Sequence, residues 1–219
     1  MELPYSLDVY LTLLDSYNRD HLIFVIAGMG ICLAAVACAF LSAARHSTIM
    51  KRLILSGLAI CAMFIGIIHQ LNLMTDFNFM APIYSGFWVL QGFILLWLSI
   101  SRRGADLFQA PAISRNIGVA IAVYGIVLHP VIVHLVGNSF GLGTPLAGTA
   151  PNPTILVIAG ILLTMRGIPP LVMLIFPLAW AGVSAMTAYL LSFPVDYAIS
   201  IGLLMATFSA FYGHFKRSR

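Results

Sequence analysis

The sequence predicts an all-α membrane protein. It reads as a seven-transmembrane-helix bundle with its N-terminus outside and its C-terminus cytoplasmic, an outer amphipathic N-terminal helix, and a short or broken fifth helix. Three observations predict this. The chain is 61% apolar and only 8% charged, with a mean hydropathy of +1.00, whereas about a quarter of a soluble domain is charged. Apolar stretches recur at 21–43, 52–74, 79–100, 116–136, 154–166, 170–191 and 195–213. Most approach the roughly 20 residues that cross a hydrocarbon core at about 1.5 Å per residue. Lipid offers backbone groups no hydrogen-bond partner, so such stretches are helices.

The third observation is how the charges fall between the stretches. Arg45, Lys51 and Arg52 separate the first and second, Arg102, Arg103 and Arg115 the third and fourth; Arg166 ends the fifth, and Lys216, Arg217 and Arg219 follow the seventh. Glu2, Asp8, Asp15 and Asp20 precede the first, Asp76 parts the second from the third, and Asp196 opens the seventh. Only Arg19 and Asp106 break the partition. Basic flanks stay cytoplasmic, which sets the orientation. The net charge of +4 belongs to flanks beside anionic lipid and implies no nucleic acid. No basic n-region or early h-region marks a cleavable signal peptide, so the first span is expected to serve as the insertion signal of a multi-pass protein of the bacterial inner membrane.

Taken in order, residues 1–20 form an interfacial segment and 21–219 the transmembrane domain. Within 6–20, Leu7, Tyr10, Leu11, Leu14 and Tyr17 recur at helical spacing with Ser6 available as N-cap. Such a helix lies along the outer surface or caps the bundle; a partner-binding helix is the other reading. Cys32, Cys38 and Cys61 all fall inside apolar helices without a CxxC pair and read as small hydrophobes. Trp88, Trp97 and Trp180 read as packing or interface residues, and Gly86, Gly118, Gly125, Gly160 and Gly182 as sites of close helix packing.

The fifth stretch is the odd one. Thr154 to Met165 rises only about 18 Å as a helix. It follows an uncharged Gly-, Pro- and Thr-rich run, 137–154, and precedes Gly167-Ile-Pro-Pro170. One reading has the loop dipping into the outer half of the protein, with Asn152 or Thr154 capping a helix whose N-terminal amides face a cavity, as broken helices do in transporters. The other has a surface loop above a tilted helix. A three-plus-one-plus-three repeat is compatible with the spacing but only loosely patterned.

No Asp, Glu, Lys or Arg lies near the centre of any stretch. This excludes a retinal Schiff base and argues against carboxylate-driven cation antiport. His69, His129, His134 and His21 populate the outer half, where imidazoles bind metal or haem or relay protons. Against a metal, no HxxH or HxxxH pair occurs, and His129 and His134 are five residues apart. No cofactor is specified. Gln91 and Tyr124 lie near mid-membrane, and His69, Gln70 and Asn72 crowd the outer end of the second helix. The expected substrate-binding set is His69, Gln91, Tyr124, His129, Asn152 and Thr154, lining a polar but uncharged pocket; interhelical hydrogen bonds are the plainer alternative.

The chain resembles an uncharacterised family of bacterial multi-pass membrane proteins, DUF6064. The likeness rests on Tyr17-Asn18, Gly66-Ile-Ile-His69, the helix bearing Tyr84, Phe87, Gln91 and Gly92, Thr144-Pro145, Ala150-Pro-Asn-Pro-Thr154, Gly160-Ile-Leu-Leu163, Pro177-Leu-Ala-Trp180 and Pro194-x-Asp196. The resemblance implies the fold and the weight of the Pro-x-Pro-Thr loop. It implies no activity. From the residues, the leading expectation is binding or transport of a small neutral or weakly polar solute in the outer half. Alternatives are a membrane subunit of a larger complex, its histidines holding haem or quinone, and a membrane-embedded lipid-modifying enzyme. The partners expected are the lipid bilayer, a small solute, and further copies or other membrane subunits.

Overall fold

A computed structural model describes residues 6–41, 46–137, 142–166 and 170–215. Glu2, Arg45, the loop residues 138–141, the link 167–169, and Lys216, Arg217 and Arg219 lie outside the described residues. Among the described residues the chain is all helical: α1 (Leu7–Asp20), α2 (Leu22–Phe40), α3 (Thr48–Leu73), α4 (Ala81–Ile100), α5 (Ala112–Val136), α6 (Pro151–Leu162), α7 (Pro170–Leu190) and α8 (Tyr197–Phe215). Short 3-10 turns occupy Arg102–Asp106 and Pro194–Asp196.

By length and composition α2, α3, α4 and α5 are able to cross a bilayer; α6, Leu174–Leu190 of α7 and the stretch Pro194–Ala210 are apolar but shorter. Large apolar side chains such as Ile23, Leu53, Phe93, Ile100, Leu135, Ile175 and Phe208 are exposed. With so few charges in the chain, this is the surface of a helical protein whose solvent is lipid.

The α1 helix starts where the sequence places it, with Ser6 Oγ accepting from the Val9 amide. Its Leu11, Leu14 and Tyr17 are buried, and it acts as a cap. Tyr17 donates its hydroxyl to Thr149 O at 3.0 Å, and Asn18 Nδ2 donates to Leu142 O and Thr144 O at 2.6 and 2.9 Å. Asp15 accepts from the Leu142 amide at 2.6 Å. The helix therefore clamps the loop that precedes α6.

That loop is buried over Gly143–Pro145 and Ala147–Ala150. At Gly148 the backbone has φ +97° and lies against Gly28, where a Cβ on either residue would meet the other's backbone. Gly28 is about 9 Å along the axis from the start of α2. The loop thus reaches well below the start of α2, the two backbones meeting at residues without side chains.

The α6 helix is short, as its sequence indicates, but it begins at Pro151, earlier than Thr154, and its N-cap is Ala150. Every residue from Pro153 to Leu162 is buried, with α2, α3, α5, α7 and α8 around it. An all-round apolar helix belongs at the centre of a bundle. Gly118 of α5 and Gly160 of α6 make the closest contact, since a Cβ on either would strike the other's carbonyl oxygen.

Two helices change winding partway. The last part of α3, Ile65–Leu73, and the Tyr124–Leu128 turn of α5 are π-helical. In α5 the cause is in the sequence. The ring of Pro130 would crowd the carbonyl of Ile126 in an α-turn, and a wider turn relieves it. In α3 the wide turn leaves the adjacent His69 and Gln70 both buried.

Both exceptions to the charge partition carry a local partner. Arg19 Nε meets Asp15 Oδ2 at 2.8 Å, and Asp106 lies close enough to attract Lys51. Lys51, read as part of a link, instead lies in the first turns of α3 and donates to Ala105 O at 2.5 Å. Cys32, Cys38 and Cys61 are buried and unbridged.

Candidate functional site

A cleft of about 50 Å3 opens at the end of the bundle capped by α1. The π-wound end of α3 supplies His69 and Gln70, the start of α4 supplies Tyr84, and the start of α6 supplies Asn152. One face of α7 supplies Trp180, Ser184 and Thr187, Asp196 closes the side towards α8, and Tyr10 of α1 lies above.

His69 is 2% exposed, and among the described residues neither ring nitrogen has a hydrogen-bond partner. The edge of Tyr17 stands against it, with ring centroids 5.3 Å apart. Buried polar groups in proteins are almost always bonded, so an imidazole with both nitrogens unpaired is unusual in the wall of a cleft. Asn152 Oδ1 accepts from Trp180 Nε1 at 3.0 Å, which fixes the indole in the wall. Ring contacts then join Trp180 to Tyr84 and Trp88, at 5.6 and 5.3 Å.

Asp196 is the residue that sequence reasoning missed. It reads there as a flanking charge, yet it is 5% exposed. Its Oδ1 meets His129 Nε2 at 3.2 Å, and its backbone oxygen accepts from Ser184 Oγ at 3.3 Å. The expectation of an uncharged pocket is therefore corrected. The reason is geometric: residues 129 and 196 are far apart in sequence, and only the return of the chain through Pro194–Asp196 brings them together. The wall from α7 left a clearer trace, because Trp180, Ser184 and Thr187 fall at i, i+4 and i+7 on one face.

The expected site residues divide. His69 and Asn152 line the cleft. His129 stands behind Asp196, with the Tyr124 ring 6.4 Å from it. Thr154 is fully buried and committed to structure: its hydroxyl accepts from the Gly148 amide at 2.8 Å and donates to Ala150 O at 2.6 Å. Gln91 is fully buried, neither amide atom is bonded among the described residues, and it lies outside the lining of the cleft. The idea that the first turn of α6 presents a row of amides is also corrected. Pro151 and Pro153 have no N–H, which leaves Asn152 as the sole amide donor among the first three residues.

Outside the spanning helices, the Arg19 guanidinium and then the Leu142 amide hold the Asp15 carboxyl below its ordinary range. Burial pushes the Tyr17 phenol up, so it stays a hydroxyl donor to the loop. His134 is exposed, and His21 is half-buried with Nδ1 3.0 Å from Tyr17 O. Among the described residues no three His, Cys, Asp or Glu side chains form a group able to hold a metal ion.

No curated protein and no solved structure matches the chain. The model of a family of unknown function, DUF6064, matches residues 7–219. Since that match spans nearly the whole chain, from α1 through the cleft residues to α8, the protein belongs to the DUF6064 family.

Proposed function

We propose that this is a multi-pass protein of the bacterial inner membrane, with seven helices in the bilayer, its N-terminus outside and its C-terminus cytoplasmic. Its role in this reading is to bind or pass a small polar solute through the cleft in its outer half. The orientation rests on the charge partition, whose exceptions Arg19 and Asp106 are locally compensated. The alternation of seven apolar helices gathers α1, the 142–150 loop and Asp196 at one end, with Lys51, Ala105 and Arg166 at the other.

The observation that carries the solute reading is His69, buried in the wall of the cleft with two unpaired ring nitrogens. A neutral imidazole has one donor and one acceptor to offer a guest. Asn152, Ser184 and Thr187 add amide and hydroxyl groups beside it. At about 10–15 Å3 per water-sized site, the space suits a guest of on the order of four non-hydrogen atoms. Titrating the full chain in nanodiscs with urea, formamide and methylammonium tests this. At least one should give a saturable change in tryptophan fluorescence that His69→Leu abolishes. Responses linear for all three, or unchanged in the variant, would contradict the reading.

A lipid-modifying enzyme is the second reading, favoured by the buried His129–Asp196 pair, a couple able to accept a proton. New products in lipid extracts after incubation, lost in His129→Gln, would support it over the solute reading.

A further inference from the structure

We infer that the guest of this cleft is a small protonated amine, with Asp196 as its counter-ion and Trp180 and Tyr84 as its aromatic wall. The inference rests on the solute-binding reading above and specifies its chemistry.

The charge of the site comes first. Among the described residues Asp196 is the only acidic side chain lining the cleft, and no Lys or Arg lines it. Its immediate partner is His129, whose Nε2 stands 3.2 Å from Oδ1 and whose Nδ1 is buried without a partner among the described residues. In this proposal His129 is the neutral tautomer that donates from Nε2, so the couple brings one negative charge to the wall of the cleft. Buried carboxylates are stable where a cation meets them, and among the described residues no Lys or Arg side chain lines the cleft to supply it.

The walls agree with a cationic guest. Tyr84, Trp180 and Tyr10 line the same space, and aromatic faces attract organic ammonium groups through their quadrupoles. Trp180 is held by its indole N–H to Asn152, so its ring is fixed in place before any guest arrives. His69, buried and unpaired, offers the lone pair of a neutral imidazole to an ammonium N–H. Size narrows the class. A cleft of about 50 Å3 suits ammonium and its methylated forms up to about four non-hydrogen atoms better than bulky quaternary amines.

The test uses full-length protein in nanodiscs carrying Trp97→Phe, which removes the outward-facing indole, and reads the remaining tryptophan fluorescence. Methylammonium should produce a saturable change, while formamide, a neutral guest of similar size, and sodium should not. Along the series methyl-, trimethyl- and tetraethylammonium, binding should fail at the last. Asp196→Asn should weaken methylammonium binding at least tenfold. The size series needs no variant, so it decides the matter even if Asp196→Asn does not fold. Saturable binding of formamide with none of methylammonium, or an unchanged affinity in a monodisperse Asp196→Asn, overturns the amine and leaves the cleft standing. Sodium binding without methylammonium overturns it in favour of an inorganic cation. No saturable response to any of the probes overturns the amine and the solute reading together.

Discussion

Thr154 shows how a single hydroxyl shifts from candidate ligand to structural tie. Its position after Pro153 suggests a helix cap facing a cavity, yet the hydroxyl accepts from Gly148 and donates to Ala150, closing the loop onto the first turn of α6. Thr154→Val should therefore lower stability by about 1–3 kcal/mol, because the Gly148 amide is left buried without a partner. Thr154→Ser should retain most of it. Thermal unfolding of the two variants checks this, and an unperturbed Thr154→Val would contradict the assignment. Asp15 makes a second residue-scale prediction. Its folded pKa lies below the ordinary 3.8, because Arg19 and then the Leu142 amide favour the carboxylate. A depressed carboxyl stabilises the fold above its unfolded pKa, and that contribution is lost as pH falls through the lower folded value. Protection of the Leu142 amide from hydrogen exchange should thus persist down to about pH 4 and fail only below it. Failure near pH 6 would point to another group.

Among the elements, the most readable were those set by local pattern. The Leu11, Leu14 and Tyr17 stripe with Ser6 as cap gave α1, and uninterrupted apolar runs gave α2 through α5. The brevity of α6 was legible too, from the distance between Pro153 and Arg166. Its starting residue was not, because Pro151 and Pro153 are as acceptable in a first helical turn as in a loop; in the fold, Gly125 of α5 lies against the Pro153 carbonyl and Leu156. The π-wound end of α3 left no local signal; there Gly66 lies against α4 and His69 is buried. Close packing of α5 on α6 gives a prediction at this scale. Gly160→Val drives a side chain into the carbonyl of Gly118 and should sharply reduce the yield of monodisperse protein. Gly182→Ala, at a position with open space around it, should leave the yield unchanged. Equal behaviour of the two variants would mean that α5 and α6 do not meet as described.

At the scale of the whole molecule, two sequence features converge. Charges were partitioned to the flanks, which gave a topology, and the only uncharged outer loop ran into the short helix, which gave a place to look. The cleft does lie beside that loop, between α3, α4, α6 and α7, and His69 and Asn152 were both named from sequence. Its charge was not legible. Asp196 stands next to an apolar stretch like any flanking acid, and only the folded chain buries it against His129, together with the aromatic wall of α7 and α4. A pocket expected to be uncharged has an acidic side chain in its wall.

The central claim, an outer-half cleft at the start of α6, is tested most directly by the accessibility of Asn152→Cys in intact cells. The native cysteines are buried, so a membrane-impermeant thiol reagent should modify the new thiol from outside, and methylammonium should slow the reaction. Labelling only after the cytoplasmic face is opened, or none from either side, would contradict the account.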